Sequence, residues 1–240
     1  MVKVASPLIS LILKSVQRGL KTNFLVVVAL LLGAGLQVPA QPATDTTKKP
    51  KVPATIFRDS GGNLISNDEF VDIRMANFGE KDRTVVKTLD DGTIEFTLAK
   101  VTQEGTHAPD FSATTLDGRP VSLRSLRGKV VVLNFWFIAC AYCRALQPKL
   151  NDFKAKFKGD DNVVFLAMTP DPVQELRQYL SKERFDFLHI AEADSLLSSF
   201  RFTGYPKNIV IGKTGEIVYW RSTVNAWNKF ESVINRELAR

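Results

Sequence analysis

The chain has 240 residues, of which 45% are hydrophobic and 24% are charged, and its formal net charge is +7. This composition is that of a folded globular protein and excludes a disordered chain. The positive charge does not indicate a nucleic-acid partner, because four of the basic residues lie within residues 3–21 and the chain without them carries +3.

The first 40 residues are typical of a secretory signal peptide. Basic residues precede the apolar run "FLVVVALLLGAGL" at residues 24–36, and the small residues Val38 and Ala40 predict cleavage after Ala40. An uncleaved membrane anchor stays open, although a bilayer span needs about 20 apolar residues. We therefore expect a periplasmic or other extracytoplasmic protein that contacts the membrane only through this segment. Residues 41–55, rich in Pro, Thr and Lys, are expected to form a flexible linker.

Residues 56–101 are expected to form a small β-rich extension. The turn signal "DDG" at residues 90–92 lies between the alternating segments "TVVKTL" and "TIEFTLAKV", which predicts a hairpin. The segment "FVDIRM" at residues 70–75 also alternates, which predicts a further strand. We find no catalytic group of residues in this extension. Whether it packs on the rest of the chain or contacts a partner stays open.

Residues 102–240 alternate between strand and helix patterns, which is typical of an α/β sheet with helices on its faces. The apolar runs "VVVLNFWF" and "NVVFLAMT" predict strands that are buried on both faces. The other predicted elements, in chain order, are a helix over residues 142–157, a helix with Asp171 as its cap and Pro172 at its first position, a short helix capped by Asp194 or Ser195, a hairpin that turns at residues 213–215, and a last helix over residues 225–240.

The only two cysteines of the chain, Cys140 and Cys143, lie one helical turn apart where a predicted buried strand leads into a helix. A structural disulfide stays open, although a bridge that closes four residues stabilises a fold by only about 2 kcal/mol in the chain-entropy account. A structural zinc site needs four ligands, and His107 and His189 stand alone in the sequence. We expect a redox-active pair in which Cys140 attacks from the helix N-terminus and Cys143 resolves the mixed disulfide.

Around these cysteines the chain resembles a known family. The segments "GTHAPDFSATTLDGRPVSLRSLRGKVVVLNFWFIACAYC" and "GYPKNIVIGKTGEIV" are similar to those of the TlpA/ResA-like thioredoxin family of bacterial extracytoplasmic thiol-disulfide oxidoreductases, in the AhpC/TSA–redoxin superfamily. The resemblance implies a thioredoxin fold with a central mixed sheet. It also implies that Pro206 is a cis-proline facing the cysteines and that the Tyr205 backbone meets the substrate. Trp136 and Tyr142 complete the candidate substrate-binding residues.

Three positions depart from the family pattern. Leu146 stands where many members carry a glutamate credited with proton transfer, and Lys207 replaces the common threonine after the cis-proline. The dipeptide between the cysteines is Ala141–Tyr142 and contains no histidine, which favours a reductase over a strong oxidant. Asn134 matches the usual asparagine of the central strand.

The resemblance also implies the partners. The expected substrates are thiols and disulfides of exported proteins, such as apocytochrome c, and a membrane thiol donor is expected to supply electrons. No nucleotide or flavin motif is found, so no cofactor and no metal are expected.

Three other functions are compatible with parts of the sequence. A peroxiredoxin-like peroxidase shares "APDF", but Phe137 and Leu133 occupy the positions where its threonine and proline are expected. A Sco-type copper chaperone needs three residues between its cysteines, and this chain has two. A non-catalytic thioredoxin-fold binding module stays open.

Overall fold

The computed structural model describes residues 52–78 and 84–240. The predicted signal peptide and most of the predicted linker lie outside these residues. The strands are β1 Thr55–Arg58, β2 Leu64–Ile65, β3 Val85–Thr88, β4 Ile94–Thr97, β5 Ser112–Thr114, β6 Pro120–Ser122, β7 Val130–Phe135, β8 Val163–Met168, β9 Leu188–Ile190, β10 Lys207–Ile211 and β11 Ile217–Arg221. The helices are α1 Asn67–Ala76, α2 Ala141–Ala155, α3 Val173–Leu180, α4 Asp194–Ser199 and α5 Trp227–Leu238, with a 3₁₀ turn at Arg124–Leu126.

A five-stranded sheet forms the centre of the fold, in the order β11-β10-β7-β8-β9. Strands β7, β8 and β9 are parallel, whereas β10 and β11 are antiparallel to their neighbours, so the sheet is mixed as predicted. Alternate residues of β7 enter two different apolar clusters, one on each face of the sheet. Helices α2, α3 and α5 contribute buried side chains to the cluster on one face, and helices α1 and α4 contribute buried side chains to the cluster on the other face. The predicted thioredoxin fold is confirmed.

A second sheet, in the order β2-β1-β4-β3, forms the extension. Its β3–β4 pair is the predicted hairpin, with Val85 opposite Thr97 and Thr88 opposite Ile94. The strand predicted over residues 70–75 is wrong, because this segment lies within α1. Ser66 caps this helix, because its hydroxyl oxygen accepts a hydrogen bond from the Glu69 amide at 3.1 Å. This side-chain cap stabilises the start of a helix and not a strand.

Helix α1 joins the extension to the central sheet. Its Phe70 ring packs on Phe57 of β1, with ring centroids 4.1 Å apart. Ile73 and Ala76, on another side of the helix, are buried in the same apolar cluster as Trp220 of β11. The extension therefore packs against the thioredoxin fold, which answers the question that the sequence left open.

Two predicted helix caps are wrong. Pro172 is the N-cap of α3. Asp171 does not cap this helix, because its carboxylate accepts a hydrogen bond from the Ile138 amide. Ala193 is the N-cap of α4, so Asp194 is already its first helical residue. The β10–β11 hairpin does turn where predicted, and Gly215 there adopts a φ of 86°, which glycine tolerates best. Among residues 52–78 and 84–240, no helix combines the length and the hydrophobicity needed to cross a membrane.

Candidate active site

The two cysteines lie where β7 leads into α2. Cys140 is the N-cap of α2, and its Sγ accepts a hydrogen bond from the Cys143 amide at 3.1 Å. The two sulfurs form a disulfide. Cys140 is partly exposed and follows the exposed Ala139, whereas Cys143 is buried, with 3% of its surface exposed. The pair thus combines one partly exposed cysteine with one buried cysteine.

Asp171 holds the loop that carries Cys140. Its carboxylate accepts a hydrogen bond from the Ile138 amide at 2.8 Å and another from the Thr169 hydroxyl. Sequence analysis missed this role and assigned Asp171 to a helix cap. The sequence does contain a signal for this role. Asp171 follows the carboxyl end of β8 and the cysteine loop follows the carboxyl end of β7, and the carboxyl ends of neighbouring parallel strands lie at the same edge of a sheet.

The Tyr205–Pro206 peptide bond is cis, as the resemblance implied. Lys207, the next residue, pairs with Phe135 at the end of the antiparallel strand β7, so the Tyr205–Pro206 segment lies at the sheet edge from which the cysteine loop leaves. The rings of Tyr205 and Phe137 meet edge to face, with centroids 5.0 Å apart. The pKa of the Tyr205 hydroxyl is raised, mainly by partial burial and to a smaller extent by the negative charge of Asp194.

The other two candidate substrate-binding residues differ in exposure. Tyr142, which lies between the cysteines, is 49% exposed. The pKa of its hydroxyl is raised, mainly by partial burial and to a smaller extent by the negative charge of Asp72. Trp136 has no exposed surface and packs against the Tyr179 and Phe185 rings. Trp136 therefore offers no exposed surface to a substrate in this structure.

Lys207 is a buried cation close to the cis-proline. Its ammonium group donates a hydrogen bond to Ser222 Oγ at 2.6 Å, and its Nζ lies 5.9 Å from the centroid of the Trp220 ring. Burial lowers the pKa of Lys207 to about 8. The ammonium group therefore still carries most of its charge at neutral pH.

The position of the family glutamate is apolar here. Leu146 is buried in the same cluster as Cys143 and offers no group that could transfer a proton. The next residue, Gln147, is also buried, and its side-chain oxygen accepts a hydrogen bond from the Tyr179 hydroxyl at 2.7 Å. A polar group therefore lies one residue further along α2, but it is an amide and not a carboxylate.

Comparisons with known proteins agree with this geometry. Residues 105–220 match the AhpC/TSA family. The thiol-disulfide oxidoreductase ResA of Bacillus thuringiensis is 26% identical over 145 residues, which are 57% of this chain and 83% of ResA. The thioredoxin domain of a thiol-disulfide oxidoreductase from Bacteroides vulgatus superposes with a TM-score of 0.50 at 25% identity, over 55% of this chain and 98% of that domain.

A candidate protein disulfide isomerase from Bacteroides thetaiotaomicron, solved in solution, gives a TM-score of 0.52 at 28% identity. That similarity covers 58% of this chain and 92% of the solved chain. Residues 105–220, which match the AhpC/TSA family, contain the paired cysteines at the start of α2. Residues 105–220 therefore match the AhpC/TSA family, and the chain is a thioredoxin-fold thiol-disulfide oxidoreductase similar to ResA.

Proposed function

We propose that the chain is an extracytoplasmic reductase that transfers electrons to disulfides of exported proteins through Cys140 and Cys143. The observation that carries this proposal is the position of Cys140 Sγ, which caps α2 and accepts the Cys143 amide at 3.1 Å. This N–H group and the positive end of the helix dipole would stabilise a thiolate there. The partly exposed Cys140 is the attacking group, and the buried Cys143 is the resolving group.

The reaction has two exchange steps. The Cys140 thiolate attacks one sulfur of the client disulfide, so that bond breaks, a bond between Cys140 and the client forms, and the other client sulfur leaves as a thiolate. The Cys143 thiolate then attacks Cys140 Sγ, which closes the Cys140–Cys143 disulfide and releases the second client sulfur. The client gains two electrons and, through solvent, the two protons that the Cys140 and Cys143 thiols release, and the chain is left in its oxidised form.

The sequence supports the proposed compartment and the proposed electron source. The signal peptide expected at residues 1–40 would export the chain, or anchor it if uncleaved. A membrane dithiol donor would return two electrons to the Cys140–Cys143 disulfide and would itself be oxidised to a disulfide. The absence of histidine from the Ala141–Tyr142 dipeptide supports the reducing direction. Tyr142, Tyr205 and Pro206 are the proposed contacts to the client chain.

Cys143→Ser is expected to trap clients as mixed disulfides, because Cys140 can still attack while the resolving sulfur is missing. The full-length variant would be produced in cells, free thiols would be blocked with an alkylating reagent, and covalent adducts would be isolated without reductant. Mass spectrometry would then identify the attached proteins. We expect several exported proteins, each linked through one of its own cysteines.

The matched control is the Cys140→Ser/Cys143→Ser double variant, which should trap nothing. Adducts formed only with cytoplasmic proteins would contradict the extracytoplasmic assignment. A complete lack of adducts with Cys143→Ser would contradict the reductase itself and would favour a binding module.

A further inference from the structure

Gln147 is a buried amide with an unused hydrogen-bond donor. Its side chain belongs to the buried side of α2, and only 3% of the residue is exposed. Its Oε1 accepts a hydrogen bond from the Tyr179 hydroxyl at 2.7 Å, which fixes the orientation of the amide. Its Nε2 has no hydrogen-bond partner among residues 52–78 and 84–240. Buried donors are normally paired, so this unpaired one needs an explanation.

Helix geometry places the Gln147 amide beside Cys143. Gln147 follows Cys143 by four residues in α2, so the two side chains lie on the same side of the helix, one turn apart. Helical side chains lean towards the helix N-terminus, and a long one covers the residue one turn earlier. The partner of Gln147 agrees with this position, because Tyr179 packs against the apolar cluster that contains Cys143. The amide and Cys143 therefore border the same part of the core.

Cys143 needs a hydrogen-bond donor once the disulfide opens. In the disulfide its sulfur is neutral and bonded to Cys140. In the second exchange step the same sulfur must react as a thiolate, although only 3% of the residue is exposed. A thiolate among apolar side chains is unfavourable unless a hydrogen bond stabilises it. The apolar side chain of Leu146 cannot supply that bond, whereas Nε2 of Gln147 can.

We propose that Gln147 donates a hydrogen bond from Nε2 to the Cys143 thiolate in the second exchange step and so speeds the release of the client. Tyr179 holds the amide in place through Oε1. Gln147 neither takes nor gives a proton. The Cys143 proton leaves through solvent, the Cys143–Cys140 bond forms, and the bond between Cys140 and the client breaks. This inference rests on the proposed function, because it adds a residue to the step that Cys143 performs there.

An aromatic disulfide that releases a coloured thiolate separates the two exchange steps. One equivalent is mixed with the reduced full-length chain in a stopped-flow instrument, and absorbance is recorded. Attack by Cys140 releases the first coloured thiolate. Attack by Cys143 on the mixed disulfide releases the second, in a phase whose rate does not depend on concentration because it is intramolecular.

Gln147→Met keeps the length of the side chain but lacks the N–H group. It is expected to slow the second phase about threefold to tenfold and to leave the first phase unchanged. The loss of a hydrogen bond to the anion lowers the fraction of Cys143 present as thiolate. The remaining thiolate is more nucleophilic, which offsets part of that loss.

Asn151→Leu is the matched control. Asn151 is a buried amide one turn further along α2, but its side chain donates to the Arg184 carbonyl and accepts from the Asp186 amide. Its loss should lower the melting temperature and leave the second phase unchanged. An unchanged second phase in Gln147→Met, or an equal slowing in Asn151→Leu, would overturn the role of Gln147 alone. A wild-type chain that released only one coloured thiolate would overturn the proposed function as well.

Discussion

Cys140→Ser is expected to lower the rate of insulin disulfide reduction by at least about 1000-fold, to the uncatalysed background. A serine hydroxyl stays protonated at neutral pH and cannot form a disulfide, so the first exchange step is lost. The fold should persist, because a serine Oγ at the N-cap of α2 can accept the Cys143 amide as Cys140 Sγ does. The measurement is insulin turbidity in the presence of a dithiol reductant.

Thermal unfolding of the same preparation is the control for the Cys140→Ser experiment. A melting temperature close to that of the reduced wild-type chain would show that activity is lost through chemistry and not through unfolding. A Cys140→Ser variant that kept the wild-type rate would contradict the assignment of Cys140 as the attacking group.

The second large effect is expected at Asp72. This buried carboxylate accepts hydrogen bonds from the Thr223 hydroxyl, from the backbone and side-chain amides of Asn225, and from the Ala226 amide. Asp72→Ala leaves these donors without their partner and is expected to lower the free energy of unfolding by about 2–5 kcal/mol. Urea unfolding, followed by tryptophan fluorescence, would measure this loss.

Asp68→Ala is the matched control, because Asp68 lies in the first turn of the same helix and is exposed. It loses only a favourable interaction with the helix dipole, which is worth about 0.3–1 kcal/mol. If Asp72→Ala cost no more than Asp68→Ala, the Asp72 contacts would not be what fastens α1 to the thioredoxin fold.

The central fold was predictable because its signals are local and strong. Strands β7 and β8 are continuous apolar runs, and the β10–β11 turn contains a glycine at the position that needs a positive φ. The cysteine pair was equally visible, since both cysteines of the chain occur in one short motif. The cis bond before Pro206 was predicted only through the family resemblance, because spacing alone does not distinguish a cis from a trans proline.

The extension was predicted less well because two signals competed there. The alternation of residues 70–75 suggested a strand, but Ser66 and Glu69 form a capping pair that favours a helix, and the helix is what forms. The contacts of Asp72 could not be predicted, because its partners lie 151 to 154 residues away along the chain. Trp136 was assigned to the substrate although it is buried, since an apolar run does not reveal where burial ends.

The most direct test of the account is a redox titration of the native chain, since its central claim is that the Cys140–Cys143 disulfide opens and closes reversibly. The chain would be equilibrated in thiol–disulfide buffers of graded potential and alkylated, and its mass would be measured. We predict two alkyl groups per chain in the most reducing buffers and none in the most oxidising, with a midpoint above about −300 mV. A disulfide that opened only after the protein was unfolded would contradict the claim.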